Sequence, residues 1–194
     1  MKKMNLAYAG NFSEATLIKC VRSWPLLEHF APSDAVGFAP SGFTDAVVLA
    51  MCKSCPLIKI LNLATCNITD TSIFAIAETY PDLEDIQLDG NYDYHLYATI
   101  SSDAVKVLVR KCNKLNYIHF GLHSLISDDV LRSAGENCKD LEALSVRDCP
   151  LVTAVGFGFI INHCKKLAKV TLDAELPSRD SLEVMYPHIF FTVI

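Results

Sequence analysis

Apolar residues recur along this chain in a short pattern with leucine-like side chains at its first, fourth and sixth positions. After Cys138, for example, the pattern runs through Leu141, Leu144 and Val146. Its second half alternates apolar and polar residues, which is typical of a short β-strand whose alternate side chains face a core. The pattern also follows Cys55, Tyr80, Cys112 and Cys164, and more loosely Trp24.

A second marker precedes these six patterns at a constant distance. A β-branched or aromatic residue, followed by Ser or Thr, stands 12 residues before each opening position: Phe12-Ser13, Phe43-Thr44, Ile68-Thr69, Ile100-Ser101, Ile126-Ser127 and Val152-Thr153. The hydroxyl predicts a helix N-cap, and in most units an acidic residue follows near the positive end of the helix. Apolar residues at helical spacing come next, so each unit predicts one strand and one helix.

One strand and one helix cannot bury their apolar faces alone, so the units must stack on one another. Cys112, Cys138 and Cys164 are each 26 residues apart, and their equal spacing places successive strands side by side. The sequence therefore predicts an α/β repeat array with a parallel sheet.

Two segments carry a resemblance to a known family. Residues 55–70, CPLIKILNLATCNITD, resemble the cysteine-containing leucine-rich repeat, and residues 138–153 do so nearly as well. The resemblance implies an α/β leucine-rich repeat solenoid that is curved, with a parallel β-sheet on the concave face and helices on the convex face. Most such repeats belong to F-box substrate receptors of ubiquitin ligases and related adaptors. No F-box-like segment precedes the repeats, so a ligase-docking part is expected on another chain.

The repeats predict a single domain over residues 1–194, with about six to seven units that start near positions 4, 24, 55, 80, 112, 138 and 164. Two units are longer than the others, and their extra residues fall in loops at 33–42 and 89–99. Such insertions often form the binding edge of a solenoid. The second loop carries Tyr92, Tyr94, His95 and Tyr97. These rings suit either protein recognition or packing against the sheet edge.

Residues between the inward leucines are expected to face outward in three rows across the sheet. The first row is Ile60, Asp85, Tyr117, Ala143 and Lys169; the middle row is Asn62, Gln87, His119, Ser145 and Thr171; the third row is Ala64, Asp89, Gly121, Arg147 and Asp173. The best candidate for a partner-binding patch, together with the tyrosine loop, is Asp85, Gln87, Tyr117, His119 and Arg147. The alternative is an ordinary solvated face.

Charge and cysteine content narrow the classes of partner and compartment. The formal net charge is −5, and no run of basic residues interleaved with aromatics is present, so neither nucleic acid nor membrane insertion is expected. Eight cysteines without a secretory signal indicate reduced thiols in the cytoplasm or nucleus, although an organelle stays open. Half repeats without polar caps at both ends predict that another chain or self-association covers them.

The sequence favours binding over catalysis. Cys52 and Cys55 form a C-x-x-C pair, but the repeat explains both residues, and His119 with His123 lacks a companion ligand. No phosphate-binding glycine loop or nucleophile elbow is present, so we expect no catalytic residues, no metal and no cofactor. The leading hypothesis is a non-enzymatic adaptor or substrate-recognition module linked to a ubiquitin ligase. The alternative is a structural subunit of a large organellar or cytoskeletal assembly.

Overall fold

The computed structural model describes residues 2–6, 12–32, 42–89, 100–121, 126–173 and 179–193, in which strands and helices alternate regularly. The elements are β1 (Lys3–Asn5), α1 (Glu14–Arg22), β2 (His29–Ala31), α2 (Asp45–Ser54), β3 (Ile60–Asn62), α3 (Asp70–Thr79), β4 (Asp85–Asp89), α4 (Ser102–Lys111), β5 (Tyr117–Gly121), α5 (Asp128–Asn137), β6 (Ala143–Arg147), α6 (Ala154–His163), β7 (Lys169–Leu172), α7 (Arg179–Met185) and β8 (Phe190–Val193).

All eight of these strands form one parallel sheet in chain order, β1 to β8. Each strand pairs with the strand of the next unit, and consecutive helices pack beside one another. Neighbouring strands lie about 4.8 Å apart, whereas neighbouring helices lie about 8–10 Å apart. The helical layer is therefore the longer one, and the array is an open α/β solenoid of the leucine-rich repeat type with the sheet on its concave face.

The inward positions of the apolar pattern form a continuous core between sheet and helices. Ile86, Ile118 and Leu144 are successive neighbours in the strand register, and all three are at most 1 % exposed. The helices contribute the opposite wall through residues such as Leu108 and Leu131. Each unit thus buries its apolar face mainly against its neighbours, as the sequence predicts.

The predicted N-cap residues precede helices α1 to α6, and they also connect neighbouring units. Thr69 caps α3 by accepting a hydrogen bond from the Thr71 N–H at 3.1 Å. Its own N–H and hydroxyl donate to the Asp45 carboxylate of the preceding helix at 2.9 and 2.7 Å. The same arrangement joins Asp70 to Ser101 and Asp128 to Thr153. The acid at the helix start therefore also binds the cap of the next unit.

Cysteine thiols make a second connection between units. The Cys112 thiol donates to the Tyr80 carbonyl oxygen at 3.2 Å, and the Cys164 thiol donates to the Cys138 carbonyl oxygen at 3.4 Å. Both carbonyls belong to the C-cap residue that directly follows the helix of an earlier unit. Each also accepts a backbone N–H, of Leu83 and Leu141 respectively, and a carbonyl oxygen has a second lone pair for the weak donor of a small, apolar thiol. This explains why cysteine suits the position.

Candidate functional site

The strand register brings the predicted outward residues together in rows across the concave face. In the first row the register pairs Ile60 with Asp85, then Tyr117, Ala143, Lys169 and finally Phe190. In the middle row it pairs Asn62 with Gln87, then His119, Ser145, Thr171 and Thr192. In the third row it pairs Asp89 with Gly121 and then Arg147. These pairings confirm the predicted order for the first and middle rows and for Asp89, Gly121 and Arg147 of the third. The alternative of an ordinary solvated face does not hold for Asn62, Ala64, Ser145 and Thr171, which are buried.

A nearly buried carboxylate lies at the centre of the described part of this face. The side chain of Asp89 is only 6 % exposed, and its Oδ1 accepts a hydrogen bond from Nε2 of His119 at 2.6 Å. Nη2 of Arg147 lies 3.6 Å from the same oxygen. Three successive strands, β4, β5 and β6, each supply one of these groups. The cluster of Asp89, His119 and Arg147, named here the carboxylate cluster, links three units through side chains.

The carboxylate cluster depends on a glycine in the third row. A Cβ atom on Gly121 would overlap Oδ1 of Asp89 and lie 3.3 Å from Nε2 of His119. The absence of a side chain at this position therefore creates the space that the Asp89 carboxylate fills. Gly121 itself is buried beneath it.

Asp85 lies on the same strand as Asp89, but fewer hydrogen-bond donors and positive charges surround its carboxylate. Its Oδ1 is buried and has no hydrogen-bond partner among the described residues. Burial raises the pKa of Asp85 to about 6, and a hydrogen bond with Gln87 and the charge of His119 offset this only in part. Burying an ionised group with too few partners is unfavourable, so Asp85 carries a charge that the fold stabilises only in part.

Tyr117, the first-row neighbour of Asp85, is half-buried on β5. Burial raises the pKa of its hydroxyl, and the nearby carboxylates of Asp85 and Asp89 raise it further. The phenol therefore stays protonated at neutral pH and can donate a hydrogen bond. Its ring and the Ile60 side chain stand on either side of Asp85 in the register.

The structure thus places the five predicted patch residues on three adjacent strands, with Asp85 and Gln87 on β4, Tyr117 and His119 on β5, and Arg147 on β6. The predicted loop residues Tyr92, Tyr94, His95 and Tyr97 lie outside the described residues, as does His123. The prediction omitted Asp89 from the patch, although it placed Asp89 in the third row. The sequence signal for this cluster was the glycine, Gly121, which stands between an acidic and a basic residue in that row.

Five of the eight cysteines are buried, as expected of small core residues, and Cys20, Cys52 and Cys66 are partly exposed. None of the eight forms a disulfide, and all of them lie within the described residues. Burial raises the pKa of the Cys55 thiol to about 11 and of Cys112 and Cys138 to about 12. In the described part of the chain, His, Cys, Asp and Glu side chains nowhere gather in threes to hold a metal ion. No helix there is both long and apolar enough to cross a bilayer.

The chain was compared with protein-family models and with solved structures. No protein-family model matches the chain. Among solved structures, the chain is similar to one titled leiomodin-1 actin-binding site 2 (ABS2), at 15% identity and a TM-score of 0.46. The alignment covers 86% of this chain and 80% of that chain.

Proposed function

We propose that this chain is a non-enzymatic protein-interaction module whose concave face binds a partner protein. The proposed contact residues are Asp85, Gln87, Tyr117, His119 and Arg147. The observation that carries the proposal is the uneven charge compensation of this face. Asp89 is paired with two neighbours, whereas one oxygen of the nearby Asp85 is buried without a partner among the described residues. A buried polar group that the fold leaves unsatisfied needs a specific explanation, and the charge of a binding partner is one that fits this face.

The more specific proposal is that the chain is a substrate-recognition or adaptor module of the cysteine-containing leucine-rich repeat family. Its support is the recurrence of buried cysteines that donate to the backbone of the preceding unit. In this proposal the module works with a ubiquitin ligase whose docking part lies on another chain, in the cytoplasm or nucleus. We propose no catalytic role, metal or cofactor, and no nucleic-acid partner.

Affinity capture from native cells tests this function when the bait is compared with concave-face variants. Gln87→Arg places a long cationic side chain in the centre of the face, and Arg147→Glu reverses a charge in the carboxylate cluster. Lys114→Glu is the matched control, because Lys114 lies in a turn outside the strands, is 61 % exposed and pairs only with Asp82 in the described structure.

The expected result is a set of proteins retained by wild type and Lys114→Glu but lost with both concave-face variants. Gln87→Arg and Lys114→Glu must keep the wild-type thermal unfolding midpoint. Arg147→Glu places a second carboxylate beside Asp89 and should lower the midpoint, so this bait is used at a temperature at which it is still folded. A cullin or cullin adaptor in that set supports the ligase role. Partners that survive both concave-face substitutions contradict the proposed surface.

A structural role in a large assembly is the second candidate, because the last described unit exposes several large apolar side chains. Val184 is 81 % exposed, Met185 60 % and Phe190 68 %. Exposed apolar patches mark contacts with other chains or with further copies of the same chain. Size-exclusion chromatography with light scattering tests this. Association that disappears when these three residues are changed to Ser favours the structural role, whereas a monomeric wild type favours the adaptor.

A further inference from the structure

We propose that Asp85, with Ile60 and Tyr117 on either side, is the receptor for one lysine or arginine side chain of the partner protein. This inference rests on the proposed function, since it names the chemistry that the concave face recognises. It concerns the first row of the face, next to the carboxylate cluster but separate from it.

The register places Asp85 between two side chains that carry apolar surface. Ile60, Asp85 and Tyr117 are consecutive in the register, so their strands span about 10 Å at the usual spacing of parallel strands. Ile60 and Tyr117 are half-buried and present apolar surface on both sides of the carboxylate. Lys and Arg have long apolar stems that lie along such surface while their charged ends reach a polar group. The Tyr117 ring offers a cation a second favourable contact.

The charge balance of the face favours a cation at this place. Asp89 already accepts from His119 and lies beside Arg147. Asp173, at the end of the third row, accepts a hydrogen bond from the Asp148 N–H at 2.9 Å. Asp85, in contrast, has no Lys, Arg or His nitrogen within 4.0 Å in the described structure, and its Oδ1 has no donor there. Asp85 as a whole is only half-buried, so a partner's ammonium or guanidinium group can approach its carboxylate and supply the missing charge.

Other ligand classes fit the surroundings of Asp85 less well. A divalent cation requires several oxygen ligands, and Asp85 has only an apolar side chain and a phenol beside it in its row. A phosphate or an acidic peptide would meet two carboxylates, Asp85 and Asp89, the second of which is already paired.

Burial raises the pKa of Asp85, which means that the free protein is destabilised by the ionised carboxylate and that a bound cation would relieve this.

A random peptide library displayed on phage and selected on the whole immobilised chain provides the test. We expect the selected peptides to share a Lys or Arg at one position. Their affinity for Asp85→Asn should be at least about tenfold weaker than for wild type, because the variant keeps the shape and loses the charge. The control Asp140→Asn removes a charge from an exposed residue that pairs with Lys166, and it should leave affinity unchanged.

The outcomes separate this inference from the proposed function. Peptides that bind Asp85→Asn as tightly as wild type but fail to bind Gln87→Arg would overturn the cation receptor and leave concave-face binding intact. Peptides insensitive to Asp85→Asn, Gln87→Arg and Arg147→Glu would overturn both. Selection of no peptide, or of peptides without a basic residue, also counts against the receptor.

Discussion

The carboxylate of Asp89 occupies the space that a side chain at position 121 would fill. This relationship between Asp89 and Gly121 joins strands β4 and β5 directly, because their backbones are register partners. It also sets the position of the oxygen that His119 and Arg147 approach. Gly121 therefore has a defined role on the concave face that does not depend on an unusual backbone angle.

Gly121→Ala should destabilise the protein by about 1–3 kcal/mol, because the added methyl group displaces a buried carboxylate from its hydrogen-bond donor. Chemical denaturation of wild type and variant measures the difference. The control is Gly158→Ala on α6, where an added Cβ would meet, among the described residues, only the Tyr186 hydroxyl oxygen at 3.5 Å. That change should be neutral or stabilise the helix slightly, since Ala has the higher helix propensity.

A double-mutant cycle identifies the cause of the Gly121→Ala effect. With Asp89→Ala already in place, Gly121→Ala should cost much less than it does in wild type, because the group it displaces is gone. If Gly121→Ala lowered the free energy of unfolding equally in wild type and in Asp89→Ala, the methyl group would be acting through something other than Asp89.

Asp85→Asn should raise the free energy of unfolding at pH 7 by about 1 kcal/mol, a value reduced from the full pKa shift because the side chain is partly exposed to solvent. The amide keeps the size of the carboxyl group and removes its buried charge. A variant that is more stable but binds the partner less well would have the trade-off expected of a functional residue. Urea unfolding gives the stability, and the peptides described above give the affinity.

The pH dependence of this effect has a definite sign. The pKa of Asp85 is raised from 3.8 in an ordinary setting to about 6 in the folded chain, so the folded state binds a proton that the unfolded state does not between these values. The destabilisation is therefore present above pH 6 and disappears as the pH falls toward 4. Asp45 has a lowered pKa and acts in the opposite direction. The informative quantity is therefore the difference in free energy of unfolding between wild type and Asp85→Asn, which should shrink as the pH falls from 7 to 4. A difference that stays constant over this range would contradict the raised pKa of Asp85.

The sequence predicts the rows of the concave face well but not the contacts within them. A period of two and a constant repeat spacing determine that Ile86 and Ile118 are buried and that Gln87 and His119 lie side by side. The contacts of Asp89 depend instead on the rotamers of its neighbours. The His119 side chain turns from the middle row toward Asp89 in the third row, and the repeat spacing does not determine that rotamer.

The inter-unit hydrogen bonds illustrate a second limit of sequence patterns. An acid at the start of a helix is predicted from the helix dipole, and Asp45, Asp70 and Asp128 satisfy that prediction. Their second role appears only after the units are stacked, because the groups that they accept from lie 24, 31 and 25 residues further along the chain. The local preference of a residue for a helix start cannot reveal a contact that forms only when two units stack on each other.

Asp70→Ala should destabilise the protein by about 1–2 kcal/mol, because it removes two acceptors from the Ser101 N–H and hydroxyl, each of which donates at 2.7 Å. The control is Asp103→Ala, in the first turn of α4, close to Ser101. Asp103 is 85 % exposed and pairs with Lys106 on the surface, so its loss should cost less than about 1 kcal/mol.

Amide hydrogen exchange locates the Asp70→Ala effect. The Ser101 amide should lose protection in the variant, whereas amides of β6 should keep theirs, because the substitution acts at the junction of α3 and α4. Uniform loss of protection along the solenoid would instead indicate a global effect, and unchanged protection at Ser101 would contradict the role given to Asp70.

The buried thiols Cys112, Cys138 and Cys164 should not react with an aromatic disulfide reagent while the protein is folded. Burial raises their pKa to about 12, 12 and 11, and the thiolate is the reactive form. At pH 8 only about one molecule in ten thousand carries a thiolate at a thiol of pKa 12. The half-exposed Cys20 should react first, and all eight cysteines should react in guanidinium chloride.

The control for this measurement is Cys20→Ser, which should remove the fastest phase and leave the phases of the three buried thiols unchanged. Cys52 and Cys66 are also partly exposed, but burial raises the pKa of both thiols, so they should react more slowly than Cys20. The slow phases should then follow the unfolding rate, because the three buried thiols must leave the stacked units before a reagent can reach them. Fast reaction of Cys112, Cys138 or Cys164 in the folded protein would contradict their placement in the core, since a close-packed interior of this kind leaves no space for an aromatic reagent.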